Sequence, residues 1–93
     1  MSDVSTISQS AAKKAVRNFI VENFLFGVED ANLTDQASFL ETGIIDSTGI
    51  LELVTFIETE YDITIQDEEM LPQNLDSLEN ISAFVIRKRN GAQ

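Results

Sequence analysis

Ser47 is the residue of this 93-residue chain whose neighbours in sequence best fit a chemical role. Asp46 precedes it, and a short carboxylate just before a helix accepts hydrogen bonds from first-turn amides at the positive end of the helix dipole. Apolar residues then recur at the spacing of one helical stripe, namely at Ile50, Leu53, Val54, Ile57 and Tyr61. Ser47 is therefore predicted to be the first residue of that helix, with its hydroxyl presented to solvent.

Most enzyme chemistry is excluded because the chain contains no histidine and no cysteine. Ser-His and Cys-His catalysis, thiolate or imidazole metal sites and disulfides all need these residues. A nucleophile elbow needs glycine two residues before the serine, where this chain has Ile45. Neither 29–41 nor 62–69 matches the ligand spacing of a calcium-binding EF-hand loop. We therefore expect no catalytic residue and no metal site.

The remaining chemistry for Ser47 is covalent modification by another enzyme. A serine at a helix start has an accessible hydroxyl, and the helix dipole with nearby amides stabilises the charge of a phosphodiester. This interpretation treats the serine as an attachment point.

The charge distribution favours basic protein partners. The net charge is −10, and all six basic residues lie near the chain ends. Every acidic residue except Asp3 lies within 18–86, where there is no base. Such a field repels nucleic acid and anionic membranes; the alternative is that the acids only confer solubility. With a polar N-terminus and no apolar run of membrane-spanning length, we expect a cytoplasmic monomer.

Hydrophobic periodicity predicts an all-α fold: a small irregular four-helix bundle with three main helices and one short one. The first helix should begin near Ser8 or Ser10 and reach Phe26, with Gly27 as its stop. The second should span Asp46 to Glu60.

The last part of the chain should contain the short helix and the third main one. Asp67 should cap a single turn ending before Pro72, and 73–76 should be loop. Asp76 or Ser77 should cap the last helix, which ends at 90–91.

A long loop should connect helices one and two. Residues 27–45 show no sustained period, but 35–38 could form one helical turn, and Gly43 supplies a bend before Asp46. Its predicted buried anchors are Leu33, Phe39, Leu40, Ile44 and Ile45. After helix two, 61–65 should be an extended link that buries Ile63 and Ile65.

We expect a single domain over 1–93, with 1–7 and 90–93 frayed. The predicted core residues are Val16, Phe19, Ile20, Leu53, Val54, Ile57, Ile63, Ile81, Phe84 and Val85.

The sequence from Phe39 to Ser47, FLETGIIDS, resembles the acyl carrier protein family. So do Glu52-Leu53-Val54, the pattern Glu58-x-Glu60-Tyr61-x-Ile63-x-Ile65 and the pair Asp67-Glu68, and the similarity covers most of the chain. It implies that Ser47 carries 4′-phosphopantetheine, added from coenzyme A by a phosphopantetheinyl transferase with magnesium, with Asp46 in support. The arm's thiol would hold acyl groups as thioesters. The chain therefore needs no cysteine of its own, because the thiol comes with the prosthetic group.

The same resemblance implies partner docking by the helix after Ser47 and by the turn near Asp67. The partners would be the transferase, an acyl- or aminoacyl-loading ligase, and synthases of fatty-acid, polyketide or related biosynthesis. The residues available for docking are Thr48, Leu51, Glu52, Thr55 and Glu58.

Two positions depart from the family pattern. Thr48 replaces the usual leucine or methionine, and Gly49 stands where fatty-acid carriers often have an acid. Gly49 could allow close approach of the arm or a partner, or could simply be tolerated at a helix end. Gly49 together with residues 42–46 is also similar to the motif of D-alanyl and peptidyl-type carriers, so an aminoacyl carrier is one alternative. An unmodified acidic helical interaction module is the other.

Overall fold

A computed structural model describes the fold of residues 8–91, with the backbone alone for 90 and 91. The described part is all helical and contains no strand, as the periodicity predicted. The fraying predicted at 1–7 and 92–93 lies outside it, whereas 90 and 91 continue the last helix. The elements are α1 (Gln9–Phe24), α2 (Phe39–Thr42), α3 (Ser47–Tyr61), a 3₁₀ turn (Asp67–Glu69), α4 (Pro72–Leu75) and α5 (Leu78–Gly91).

Helix α1 starts where predicted and ends two residues early. The Ser8 hydroxyl accepts a hydrogen bond from Ala11 N at 3.0 Å. At the other end, Gly27 has φ +83° and its N–H donates to Val21 O at 2.8 Å, so Gly27 is part of the stop as predicted. Leu25 and Phe26 belong to this turn and not to the helix.

The connection from α1 to α3 contains one helical turn, at Phe39–Thr42 and not at 35–38. Ser38 caps it by accepting from Glu41 N at 3.1 Å. Leu33, Phe39 and Ile45 are buried as predicted and Ile44 partly so, but Leu40 is 47% exposed. The anchor prediction was wrong for Leu40 because successive helical residues point about 100° apart, so Phe39 and Leu40 cannot share the buried side.

Basic side chains of α1 hold this long connection in place. Lys13 Nζ lies 3.3 Å from Asp35 Oδ2 and 2.8 Å from Glu79 Oε1, which joins the loop to α5 as well. Arg17 donates to Leu33 O at 2.7 Å and pairs with Glu29 at 2.8 Å. These contacts hold the loop against α1 at Glu29, Leu33 and Asp35.

The segment after α3 differs from the prediction at its turns. Tyr61 is the last residue of α3 and not part of the link, and Asp62 after it is left-handed with φ +54°. Residues 63–66 form the link, in which Ile65 is buried and Ile63 partly buried. Asp67 is the first residue of the 3₁₀ turn and not its cap, because Gln66 precedes it in extended conformation. Pro72 begins α4 where a loop was predicted, because its fixed φ suits a first helical position.

The start of α5 resolves the choice between two predicted caps. Ser77 Oγ accepts a hydrogen bond from Asn80 N at 3.0 Å, so Ser77 caps the helix. Asp76 has a different role, described with the site.

The core lies between α1, α3 and α5. All of the predicted core residues are buried except Phe19 and Ile63, which are partly buried against the core. Phe19 stacks on Phe56 with ring centroids 4.2 Å apart. None of the helices within 8–91 is long and apolar enough to cross a membrane.

Candidate functional site

Ser47 is the first residue of α3 and its side chain is exposed. Asp46 precedes it in extended conformation and its Oδ1 accepts a hydrogen bond from Gly49 N at 2.7 Å. The helix therefore starts where the sequence predicted, and the cap leaves the hydroxyl of Ser47 accessible.

The bend before α3 orients this helix start. Gly43 has φ +76°, and its left-handed conformation ends α2. Two residues later Ile45 is buried, and its N–H lies 3.4 Å from Phe39 O. Burial of Ile45 fixes the direction in which the chain enters α3, so Asp46 and Ser47 emerge at the surface.

Gly49 has a packing role that neither earlier interpretation foresaw. The residue is buried, and a Cβ atom there would lie 2.8 Å from Phe24 Cε1 and 2.9 Å from Ile45 Cγ2. Real Cβ atoms essentially never approach that closely, so only glycine fits without a shift of its neighbours. Gly49 lets the end of α1 and the loop pack directly against the first turn of α3.

Asp76 ties α2 to the start of α5. Its Oδ1 accepts from Leu40 N at 3.1 Å, its Oδ2 from the Ser38 hydroxyl, and its main-chain oxygen from Phe39 N at 2.9 Å. Sequence reasoning missed this role because the partners lie 36 to 38 positions away along the chain.

An apolar cleft of about 170 Å³ opens beside Ser47. Its walls come from three separate elements and it was not foreseen from the sequence. The only available signal was the apolar run 70–72 after an acidic turn. The lining residues are Leu40, Ser47, Ile50, Met70, Leu71, Pro72, Leu75 and Asp76.

The 3₁₀ turn directly before the wall formed by Met70 and Leu71 is fastened to α5. Glu69 Oε1 accepts from Gln66 N and from Lys88 Nζ, both at 2.9 Å. The Gln66 amide first, and then Lys88, hold the pKa of Glu69 below its ordinary value. The bonds fix the loop that carries Met70 and Leu71.

The five residues predicted for docking fall into two groups. Thr48, Leu51, Glu52 and Thr55 are exposed, and Leu51 is 58% accessible although it is a large apolar residue. Glu58 is partly buried, and its Oε2 accepts from Ile65 N at 2.9 Å. Its carboxylate thus already stabilises the link after α3.

A small all-helical domain with an acidic surface, one serine displayed at a helix start and an apolar cleft beside it has the architecture of a carrier domain. The chain is 33% identical to an acyl carrier protein of Akkermansia muciniphila over 79 residues, 85% of this chain and 94% of the relative. It is 34% identical over 70 residues to the probable acyl carrier protein PigG of Serratia sp., covering 75% and 79% of the two chains. Aminoacyl carrier protein 1 of Bradyrhizobium diazoefficiens is 30% identical over 73 residues, with coverage of 78% and 76%.

No protein-family model matches the chain. The relatives nevertheless span most of its length at 30% identity or more. The chain belongs to the acyl carrier protein family, and its role is that of a carrier.

Proposed function

We propose that Ser47 carries 4′-phosphopantetheine and that the chain delivers acyl intermediates to enzymes of fatty-acid, polyketide or related biosynthesis. The observation that carries the proposal is the exposed hydroxyl at the first residue of α3, directly after the Asp46 cap. When bound, the group supplies a thiol that holds the acyl chain as a thioester. The chain itself provides position and no catalysis.

The residues around Ser47 fit this group. First-turn amides and the helix dipole favour the negative phosphodiester. The neighbouring cleft is lined mainly by apolar side chains, among them Leu40, Ile50 and Met70, which suit an alkyl portion of the arm or its cargo.

Attachment is a transfer of the phosphopantetheine group from coenzyme A to Ser47. A P–O bond forms between Ser47 Oγ and the pantetheine phosphate of coenzyme A, and the pyrophosphate bond breaks. The adenosine bisphosphate part leaves, and the serine proton passes to a base of the phosphopantetheinyl transferase. Magnesium supplied with coenzyme A would neutralise the pyrophosphate charge.

The lining of the cleft favours an acyl cargo over an aminoacyl one. An α-ammonium group entering an apolar cleft would lose its hydration without compensation. Asp76 is the only charged residue in the lining, and both of its carboxylate oxygens already accept hydrogen bonds. The aminoacyl alternative has support from the Bradyrhizobium relative and would keep its cargo in solvent.

Intact mass tests the attachment. The full chain is incubated with a broad-specificity phosphopantetheinyl transferase, coenzyme A and magnesium, and should gain the mass of one phosphopantetheine. Ser47→Ala should gain nothing, whereas Ser10→Ala, at another exposed serine, should behave as wild type. An unmodified wild type would favour the acidic interaction module, and a gain that persists in Ser47→Ala would disprove this site.

A second measurement separates the cargoes. Short alkyl acyl groups and amino acids are loaded chemically on the same arm, and hydrolysis of each thioester is compared with that in Ile50→Ser. Protection of alkyl thioesters that depends on Ile50 supports the acyl carrier. Equal hydrolysis of all cargoes in both proteins would argue against use of the cleft.

A further inference from the structure

Phe26 and Val28 are the most exposed large apolar side chains in the described part of the chain. Phe26 is 90% and Val28 68% accessible. Both lie on the turn after α1, where they line a hollow together with Glu29 and Asp30. Exposed apolar residues that adjoin one another often belong to an interaction surface.

This turn lies at the same end of the molecule as Ser47. Phe24 packs against Gly49 in the first turn of α3, and Phe19 stacks on Phe56 two turns later, so α1 and α3 run in opposite directions. The chain therefore leaves α1 beside the start of α3. The end of α1 contacts α3 at Gly49, whereas the cleft is lined by Ser47 and Ile50. The turn and the cleft therefore lie against different residues of the first turn of α3.

The backbone gives no reason for a phenylalanine at this turn. Phe26 has φ +56°, a left-handed conformation that is unfavourable for a bulky residue and better suited to asparagine or glycine. Hydrogen bonds on either side, Gly27 N to Val21 O at 2.8 Å and Val28 N to Leu25 O at 3.0 Å, hold the turn. Its side chain adds little to the core, since it is almost fully accessible. Strained residues of this kind concentrate at functional sites.

We propose that Phe26 and Val28 form a docking contact for the phosphopantetheinyl transferase. The inference rests on the proposed attachment at Ser47. An enzyme that transfers a group to Ser47 Oγ must bring its own surface against this end of the molecule. Enzymes that act on the thiol react at the far end of the arm, so their reaction does not require contact with the turn after α1.

The size and charge of the surface suit such a partner. A standard interface covers about 800 Å² on each partner, a patch that extends well beyond one helical turn. Glu22 is exposed four residues before Phe26, and Glu52 is exposed on α3, whereas Glu29 next to Val28 is already paired with Arg17. The matching surface on the transferase is therefore an apolar depression bordered by lysine or arginine.

Steady-state kinetics of the modification test the contact. Phe26→Asn, Val28→Ser and the double variant are compared with wild type using a broad-specificity transferase, coenzyme A and magnesium. The double variant should lose about tenfold in kcat/KM, mainly through a raised KM, as expected for lost binding contacts. Thr59→Asn is the matched surface control, because it is exposed about 18 Å along α3 from Ser47.

Thermal unfolding separates docking from folding. Phe26→Asn should melt at or above the wild-type temperature, because asparagine tolerates the left-handed backbone. An unchanged kcat/KM in the double variant would overturn the docking contact. So would a loss matched by a lower melting temperature.

One further outcome would assign the surface to a second copy of the chain, and two others separate this inference from the proposed attachment at Ser47. Sedimentation that shows a wild-type dimer and a monomeric double variant would mean that a second copy covers the turn, and would overturn the proposal. A wild type that is never modified would reject the attachment at Ser47 and this inference together. A modified wild type with unaffected variants would reject this inference alone.

Discussion

Phe24 Cε1 would lie 2.8 Å from a Cβ atom at Gly49, so the end of α1 packs against the start of α3 only because residue 49 has no side chain. The Phe24 ring is partly exposed and can move, but Ile45, whose Cγ2 would be 2.9 Å away, is buried. The first turn of α3, which displays Ser47, thus depends on a contact with the end of α1.

Gly49→Ala should destabilise the protein. Overpacking costs about 1–3 kcal/mol and alanine recovers about 1 kcal/mol of helix propensity, so we expect a net loss of up to about 2 kcal/mol. Urea denaturation measures it, with Thr48→Ala as the exposed neighbour control that should change little. In a double-mutant cycle, Phe24→Leu should restore part of the loss; full additivity would disprove the contact.

Asp46→Ala should remove the cap of α3. The lost hydrogen bond to Gly49 N should cost about 1 kcal/mol of unfolding free energy, whereas Asp46→Asn keeps an acceptor and should stay near wild type. Denaturation midpoints of the two variants provide the comparison. Equal losses in both would show that charge, and not capping, is the contribution of Asp46.

Glu69→Gln should reduce stability at neutral pH and reduce its acid dependence. An acid whose pKa is lowered by folding stabilises the fold above its unfolded pKa, and the stabilisation is lost as pH falls through the folded value. For Glu69 the Gln66 amide and then Lys88 lower the pKa from the ordinary 4.5. The stability difference between wild type and variant should therefore be full near pH 7, decrease as the pH falls below 4.5, and disappear once the pH is below the lowered pKa of the folded protein.

The matched control for this pH series is Glu68→Gln, because Glu68 is an exposed acid in the same 3₁₀ turn. It should change the free energy of unfolding at pH 7 much less than Glu69→Gln does. Lys13, and next Gln9, lower the pKa of Glu79 as well, so Glu69→Gln should retain some acid dependence. A profile parallel to that of wild type down to pH 3 would contradict the role of Glu69.

Ile57→Ala should cost about 2–5 kcal/mol, enough to unfold much of a domain of this size. Ile57 is fully buried in the stripe of α3, whereas Leu51 on the same helix is 58% exposed. Leu51→Ala should therefore change the denaturation midpoint little. Similar midpoints for both variants would show that the assigned face of α3 is wrong.

Features determined by neighbouring residues could be predicted from the sequence. The Asp46 cap, Ser47 at the first position of α3 and the buried stripe that includes Ile57 follow from local hydrogen bonds and helical periodicity. The left-handed bend at Gly43 is local as well. The motif that ends at Ser47 indicated the family together with the spacing of the residues after it, up to Asp67-Glu68.

Features that depend on distant residues were decided by the tertiary structure. The helical turn after Ser38 lies where it does because Asp76 accepts its hydrogen bonds, and Leu40 is exposed because Phe39 takes the buried side. Gly49 is needed only because α1 ends against it. The cleft beside Ser47 exists because α2, α3 and the segment from Met70 to Asp76 meet there. No periodicity along the chain encodes these contacts, since they arise when separate elements pack together.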